Sequence, residues 1–268
     1  MVLHPLDNDG GSSAPTSSIS VPVPAWQAVE RKQKQSSHGW LLIAQVDHSQ
    51  LAGDLAARLK SPVIPPLAPD VIQAIAVHDA GWAPFDNAGM TAKRDIHPKL
   101  NDDGRPLSFL DVRPPDFVVA WNGSIAEAEK VSPAGGFIVS RHFSRLAEGR
   151  LNSRIDDEED TSRLREFLHT ERARQSRLSS ITSATPTELE DLTDILQFCD
   201  LLSLYLCCGA ADPVEFPQAF HEVHVRVSRQ ADMFHFDPVL FGSGVSLGIC
   251  GRSYGLSAGS GSLAFLLQ

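Results

Sequence analysis

The chain has 268 residues, a hydrophobic fraction of 42% and a formal net charge of −10. This length suits one substantial domain or at most two small ones. The acidic balance argues against a nucleic-acid partner, because Lys and Arg drive the binding of phosphate backbones. It leaves room for a small anionic molecule that is held locally.

Neither a membrane anchor nor a secretion signal is visible in the sequence. No apolar run reaches the roughly 20 residues needed to cross a bilayer, and the first residues lack a basic segment followed by an apolar one. The four cysteines form no CxxC pair and favour reduced, buried thiols. We therefore expect a cytoplasmic protein without a membrane partner.

Composition divides the chain into two parts. Residues 1–24 are rich in Ser, Pro, Gly and Asp and predict a disordered leader. Residues 25–268 predict a single domain, in which apolar side chains recur at helical spacing in several segments. Short strands separated by Gly and Ser are predicted from Met233 onwards. The apolar run Trp40–Ile43 predicts either a further short strand or the lead-in to a helix. The expected fold class is therefore mainly α, with a small β element from the C-terminal region.

Residues 71–82, with the sequence VIQAIAVHDAGW, hold the most informative short motif. Their apolar side chains repeat at helical spacing and predict a short buried helix with Gly81 as its C-cap. The adjacent His78 and Asp79 would then lie on the last turn, near carbonyl groups without a helical partner. A neutral histidine beside a carboxylate at the end of a buried helix indicates half of a metal site.

Two further residues qualify as the other half of such a site. Asp200 interrupts an apolar helix, where an ionised carboxylate must find a cation or a strong set of hydrogen bonds. The alternative partners for it are an arginine, Ser203 or Tyr205. His48 lies at the polar edge of an Ala-rich helix, one turn after Gln45, and its alternative role is that of an ordinary hydrogen-bonded core histidine.

The order of these residues, a His, then a His-Asp pair, then an Asp, resembles the HD superfamily of metal-dependent phosphohydrolases. Imidazole and carboxylate are the ligand mix expected for Mn, Mg, Fe or Zn. The resemblance implies a divalent metal ion and an HD-domain-like helical bundle. It also implies four metal ligands, namely His48, His78, Asp79 and Asp200.

Four segments are similar to a narrower bacterial family, domain of unknown function (DUF) 3891, over about residues 38–250. These segments read QVDHSQLAGDLA, HDAGW, GRPLSF and DLLSLYLC. No activity is established for that family. The resemblance therefore implies a fold and a site but no particular substrate.

Basic residues in and beside a long irregular stretch, residues 84–115, suggest how a substrate is held, because such loops are often functional. Four of them are predicted to bind a small anionic molecule: Arg94, Lys99, Arg105 and Arg141. His142 follows in an apolar run. HD relatives carry extra histidines there that bind a second metal or a substrate phosphate, whereas the alternative is a hydrogen-bonded histidine that caps a helix.

The leading functional expectation is a metal-dependent hydrolase of the HD phosphohydrolase type that acts on a small phosphorylated substrate. Asp79 would ligate the ion and orient the attacking water, and Gln45 would face the substrate, so these two are the predicted catalytic residues. Two alternatives stay open. One is an HD-type di-iron oxygenase, and the other is a non-catalytic HD-like module that binds a small ligand.

Overall fold

Helices occupy the middle of the chain, and strands come from both of its ends. The computed structural model describes residues 1–6, 22–34, 39–89, 98–255 and 259–268. The strands are β1 Val2–Pro5, β2 Val23–Pro24, β3 Gly39–Ile43, β4 Val214–Phe220, β5 Val223–Gln230, β6 Met233–Asp237, β7 Val245–Gly255 and β8 Gly259–Leu267. The α-helices are α1 Ala25–Lys34, α2 Gln45–Arg58, α3 Pro69–Ala76, α4 Ala83–Gly89, α5 Pro114–Val131, α6 Pro133–Ser153, α7 Glu158–Ile181 and α8 Pro186–Cys207. The first 3₁₀ helix is Ala80–Trp82 and the second is Phe109–Asp111.

One mixed sheet contains all the strands of the described residues, in the order β1-β3-β7-β8-β6-β5-β4-β2. The pairs β2–β4 and β6–β8 are parallel, and the other neighbours are antiparallel. In the middle of β5 and along β6 every second side chain is buried, at Val225, Val227, Phe234 and Phe236. This alternation is what a strand needs when one of its faces packs on the core and the other faces outwards.

The predicted fold class, a mainly α HD-domain-like bundle with a small β element, is wrong. The sheet has eight strands, and the N-terminal part of the chain contributes three of them. Its C-terminal part begins at Val214, whereas C-terminal strands were predicted from Met233 onwards. The prediction did not include β4 and β5 because these strands expose many of their side chains and so have a weak hydrophobic pattern. The pairing of β3 with β7 is long-range and leaves no local signal in the sequence.

The prediction of a disordered leader over residues 1–24 is wrong at both ends of that range. β1 pairs with β3, and Val2 and Leu3 are fully buried. The side chain of Gln33 in α1 covers this edge strand, since its amide accepts from the Leu3 N–H at 3.0 Å and donates to the Leu3 carbonyl at 2.7 Å. β2 pairs with β4 at the opposite edge of the sheet. Residues 7–21 lie outside the described residues.

Two helices, α2 and α8, connect the sheet to the rest of the helical layer. α2 contacts β7, α3 and α8, while α8 contacts β1, β4 and α6. A buried apolar cluster extends through both layers. Within the described part of the chain, no helix is long and apolar enough to cross a membrane.

A capping box begins α8 and is visible in the sequence Thr185-Pro186-Thr187-Glu188. Glu188 N donates to Thr185 Oγ1 at 3.2 Å, and the Glu188 side chain accepts from Thr185 N at 2.7 Å. The helix ends at Cys207, two residues before Gly209 with its φ of +70°.

Two glycines allow α3 to approach its neighbours closely. A Cβ on Gly53 of α2 would lie 2.5 Å from the Cβ of Ala76, and a Cβ on Gly135 of α6 would lie 2.8 Å from the Cβ of Ala74. Larger residues would push the helices apart, because packed side chains cannot overlap to that extent. The C-terminal end of α3 is therefore held between α2 and α6.

Candidate functional site

The His-Asp pair lies in a turn and not on a helix. α3 ends at Ala76, and His78 and Asp79 occupy the turn that leads into the first 3₁₀ helix. The prediction that Gly81 is a helix C-cap is therefore wrong. Gly81 packs instead against α5 and donates its N–H to Ser124 Oγ at 3.0 Å. The apolar pattern could not reveal this break, because a 3₁₀ turn continues nearly the same periodicity.

The N-terminal turn of α2 brings His48 to the pair. The helix begins at Gln45, whose backbone N–H donates to Asp86 Oδ2 at 2.8 Å. The residue that precedes α2, Ala44, has no side chain that could cap the helix. Asp86, a buried residue of α4, provides the hydrogen-bond acceptor instead. His48 is 1% exposed, and its Nε2 lies 2.9 Å from Asp79 Oδ2.

Asp200 of α8 completes the cluster. Its Oδ1 lies 3.3 Å from His78 Nε2 and 3.9 Å from His48 Nε2, and His78 Nε2 lies 3.8 Å from Asp79 Oδ2. Single ligand atoms of His48, His78 and Asp200 all lie within 4.8 Å of one another, a separation that one metal ion can bridge. The structure therefore brings together the four side chains that the sequence predicts as metal ligands.

Hydrogen bonds on the outer side of both imidazole rings determine their orientation. The Ser203 hydroxyl donates to the Asp200 carbonyl at 2.8 Å, so its oxygen accepts from His48 Nδ1 at 2.9 Å. His78 Nδ1 donates to the Ile75 carbonyl, which can only accept, at 2.7 Å. Both rings therefore keep a proton on Nδ1 and direct Nε2 towards the carboxylates, as metal-binding histidines usually do.

The two carboxylates make the cluster a strong site for positive charge. Burial opposes protonation of His78, but the charges of Asp79 and Asp200, with hydrogen bonds to Asp200 and the Ile75 carbonyl, raise its pKa to about 9. Burial also favours the neutral form of Asp200, but the hydrogen bond and charge of His78 lower the pKa of this carboxyl to about 2. Without a metal, the cluster therefore holds an imidazolium beside a carboxylate at neutral pH.

A third histidine, His142 of α6, lies beside the cluster. Its ring centroid is 5.6 Å from that of His78, and its Nε2 is 3.8 Å from Asp200 Oδ2. The ring is buried, and its Nδ1 has no hydrogen-bond partner among the described residues. Burial lowers the pKa of His142 to about 4. The structure thus places this predicted substrate-binding residue at the site as a neutral imidazole.

Three residues of the cluster, His48, Asp79 and Asp200, line a cavity of about 180 Å³, and we call the polar part of its lining the floor. The floor is polar and consists of Gln45, His48, Asp79, His142 and Asp200. Gln45 Oε1 is buried there without a hydrogen-bond partner among the described residues. The walls are apolar and largely aromatic, and Arg150 completes the lining; the wall residues are Trp26, Trp82, Phe109, Leu110, Val112, Phe117, Trp121, Phe143, Leu146 and Leu204.

The basic residues predicted to hold the substrate are not part of this lining. Arg141 pairs with a glutamate of α8 at 3.0 Å, and Arg105 pairs with Asp111 at 2.7 Å. Lys99 is exposed, and Arg94 lies outside the described residues. Among the predicted substrate-binding residues that the structure describes, His142 alone lines the cavity.

The sequence did not reveal several contacts that shape the site. Ser203 was considered only as an alternative partner of Asp200, whereas its hydroxyl also contacts His48. It follows Asp200 by three positions on a predicted helix, and this spacing places both on one helix face. Asp86 falls in a stretch that was expected to be mostly loop, so no local signal marks it as a cap for α2. Trp82 directly follows the HDAG segment, and its proximity to the pair is the signal that could have identified a wall residue.

Comparison with known proteins gives one match. Residues 33–250 match a family model described as "Protein of unknown function (DUF3891)". No curated protein and no solved structure matches the chain. The matched residues include the whole cluster from His48 to Asp200. Because this match covers most of the chain, the protein belongs to the DUF3891 family.

Proposed function

We propose that this protein is a metal-dependent hydrolase with an HD-type site, in which one divalent ion is bound by His48, His78, Asp79 and Asp200. The observation that carries the proposal is the convergence of two imidazole Nε2 atoms and two carboxylates, of which His48, Asp79 and Asp200 line a cavity. Buried charges converge in this way at functional sites more often than in ordinary cores, where they cost free energy.

The donor set fits a transition metal. Imidazole nitrogen suits Mn, Fe and Zn, whereas Mg prefers oxygen ligands and bound waters. Ser203 and the Ile75 carbonyl hold the Nδ1 protons, which leaves both Nε2 lone pairs for an ion. The buried Gln45 Oε1 and His142 Nδ1 lack partners among the described residues, which is unusual for buried polar atoms and typical of functional sites.

The residues around the ion would supply the rest of the chemistry. When bound, a divalent metal lowers the pKa of a coordinated water and polarises an oxygen of the substrate. Asp79 would orient the attacking water and accept a hydrogen bond from it. Gln45 and the neutral His142 would position the polar group of the substrate, and the aromatic walls would exclude bulk water.

The proposal is tested by metal uptake and turnover in the same preparations. Metal-free full-length protein is titrated with Mn²⁺, Fe²⁺ and Zn²⁺, and the loaded protein is screened against carboxylic esters, amides and phosphate esters. We expect one ion per chain, and we expect both uptake and turnover to disappear in His78→Ala. His169→Ala, which changes an exposed histidine of α7, should behave as wild type. Stoichiometric metal in His78→Ala would refute the site.

The phosphorylated substrate implied by the resemblance lacks support from the basic residues that were expected to bind it. Arg105 and Arg141 are each paired with a carboxylate, and Lys99 is exposed away from the cavity. The proposal therefore concerns metal-assisted hydrolysis and does not require a phosphate group.

A mononuclear iron oxygenase is the second candidate function. Two histidines and one carboxylate, His48, His78 and Asp200, offer the ligand set of non-haem Fe(II) oxygenases. A di-iron centre would need more ligands, and His142 is the further histidine beside the cluster in the described part of the chain. Fe²⁺-dependent oxygen consumption would favour an oxygenase. Stable metal binding without turnover of either kind would favour the non-catalytic module.

Metal affinity is expected to rise with pH. His78 must lose its Nε2 proton to bind an ion, and its pKa in the metal-free protein is raised to about 9. Below that pH the proton competes with the metal, so affinity should increase about tenfold per pH unit and approach a plateau near the His78 pKa. Calorimetric titrations at pH 6.5, 7.5 and 8.5 in buffers of different ionisation enthalpy should show release of about one proton. An affinity independent of pH would contradict the assignment of His78.

Ser203→Ala is expected to weaken metal binding about 10- to 100-fold with little change in the fold, because outer hydrogen-bond partners of metal ligands have effects of this size. Ser203 is buried, and its hydroxyl oxygen accepts a hydrogen bond from His48 Nδ1. Without it, the ring can adopt the tautomer that blocks Nε2. Nitrogen NMR of the imidazoles reports the tautomer, and the control is Ser180→Ala at an exposed position of α7. Equal affinities in both variants would refute the role of Ser203.

A further inference from the structure

We propose that the cavity takes a compact ligand with one apolar ring and one small polar group, and not a phosphate ester. The inference rests on the proposed function only in making that ligand the substrate. The walls, the charge of the lining, the polar floor and the volume of the cavity each support it.

The walls offer a rigid apolar surface. Trp121 stacks on Phe143 with ring centroids 5.0 Å apart, and it contacts Phe117 at 4.3 Å. Trp82, Phe117, Trp121 and Phe143 are each less than 10% exposed, so packing holds their rings in place. An apolar body gains free energy on entering such a surface, roughly in proportion to the apolar area removed from water.

The charges at the cavity disfavour a dianion. Arg150 is the sole basic side chain among the described lining residues, and Asp156 engages its Nε and a terminal nitrogen at 2.7 Å each. On the floor, Asp79 and Asp200 would neutralise the charge of one divalent ion. A phosphate ester would therefore meet no unpaired positive charge in the described lining, although phosphate sites normally provide one.

The polar floor of the cavity favours a ligand with a small polar head group. Gln45 Oε1 and His142 Nδ1 are the buried side-chain atoms of this cavity that lack partners within the described residues. Leaving such atoms unsatisfied is unfavourable. A single amide-, hydroxyl- or carboxyl-sized group on this floor would lie among the polar side chains of Gln45, Asp79, His142 and Asp200, which can fix its orientation.

The volume limits the apolar body to about one ring. The cavity measures about 180 Å³, slightly more than an apolar protein cavity of about 150 Å³ that binds benzene. A ring with one short polar substituent fits this space. A nucleotide, with its base, sugar and phosphates, does not.

Two probe experiments test the inference. In the first, toluene is titrated into the metal-free protein while tryptophan fluorescence is followed, because Trp26, Trp82 and Trp121 line the cavity. In the second, the protein loaded with Mn²⁺ or Zn²⁺ is titrated with benzohydroxamic acid and with acetohydroxamic acid. These two compounds share a metal-binding head and differ in the ring.

We expect saturable binding of toluene, and we expect benzohydroxamic acid to bind about 10- to 100-fold more tightly than acetohydroxamic acid, as burial of one aromatic ring implies. Equal affinities of the two acids, no binding of toluene, or tighter binding of methyl phosphate than of benzohydroxamic acid would overturn the inference. Failure to take up metal would overturn the proposed function alone, and toluene would then decide the inference by itself.

Variants at the mouth of the cavity locate the binding. Trp26 and Leu146 are 41% and 40% exposed, so truncating them should not prevent folding. Trp26→Ala and Leu146→Ala should each weaken toluene and benzohydroxamic acid about 3- to 10-fold and leave acetohydroxamic acid unchanged. The control is Ile181→Ala at the exposed end of α7. Wild-type toluene affinity in both mouth variants would place the ring elsewhere and overturn the inference.

Discussion

Replacing Asp200 with asparagine is expected to lower the affinity for Mn²⁺ or Zn²⁺ by about 1000-fold, because removing one charged partner from a buried ionic cluster costs about 3–5 kcal/mol. Asp200 Oδ1 lies 3.3 Å from His78 Nε2 and 3.9 Å from His48 Nε2, so this carboxylate is shared by both imidazoles. Asparagine has nearly the same shape, so the variant removes the charge without opening a cavity. Calorimetric titration of the metal-free proteins measures the effect.

The same substitution should change the protonation of the metal-free site. The pKa of His78 is about 9 because Asp79 and Asp200 oppose the effect of burial. Without the charge of Asp200, burial has more weight, and the pKa should fall well below 9. Because folding raises the pKa of His78, protonation of this residue stabilises the folded, metal-free wild-type protein. The full contribution is present below about pH 6.5, the ordinary pKa of histidine, and it is lost as the pH rises through 9. The variant keeps the charge of Asp79, the largest of the effects that raise this pKa, and should therefore show a reduced pH dependence. NMR titration of the histidine ring protons measures the pKa directly.

Asp191→Asn is the matched control for Asp200→Asn. Asp191 is exposed on the same helix, and the same change in charge there should leave the dissociation constant unaltered. Wild-type metal affinity in Asp200→Asn would remove this carboxylate from the ligand set, and the proposed site with it. Equal losses in both variants would mean that the net charge of the protein governs binding.

The helices that carry the site could be predicted because their signals are local. The capping box at Thr185 and Glu188 fixes where α8 begins, and the helical repeat then places Asp200 and Ser203 on related positions of one face. The apolar and Ala-rich pattern around His48 predicted α2 in the same way. The positions of the ligands follow from these helices once tertiary contacts bring them together.

The sheet and the walls of the cavity depend on contacts that no local pattern contains. β1 is a strand because β3 and the Gln33 side chain satisfy its backbone, and Gln33 lies some thirty residues away in the sequence. The cavity walls combine Trp26 of α1, Trp121 of α5 and Leu146 of α6. Each of these residues, considered alone, resembles an ordinary core or surface residue.

The basic residues illustrate a related limit of sequence analysis. Arg141 was expected to bind an anionic substrate together with the basic residues of the irregular stretch 84–115. Its guanidinium instead pairs with Glu190, a residue 49 positions away. A sequence gives the sign of a charge, but the partner that neutralises the charge is set by the fold. The role of Arg105 and Arg141 in binding an anionic substrate therefore stays a prediction, and each of these side chains already has a carboxylate partner.

Gly81→Ala is expected to destabilise the protein by about 3 kcal/mol, at the upper end of the usual cost of overpacking. A Cβ at this position would overlap the carbonyl oxygen of Ala120 and lie 2.5 Å from Ser124 N, both in the backbone of α5. Backbone atoms of a packed helix cannot move aside as a flexible side chain would. The hydrogen bond from Gly81 N to Ser124 Oγ, 3.0 Å long, would be strained as well.

The clash should also reach the metal centre, because Gly81 follows Asp79 by two residues. We expect weaker metal binding together with a lower midpoint of urea unfolding in the metal-free protein. Gly149→Ala is the control, since a Cβ there meets no atom within 4 Å, and an added methyl group in the helix interior should stabilise by about 0.5–1 kcal/mol. A wild-type midpoint and wild-type metal affinity in Gly81→Ala would show that contact with α5 does not hold the His-Asp turn in place.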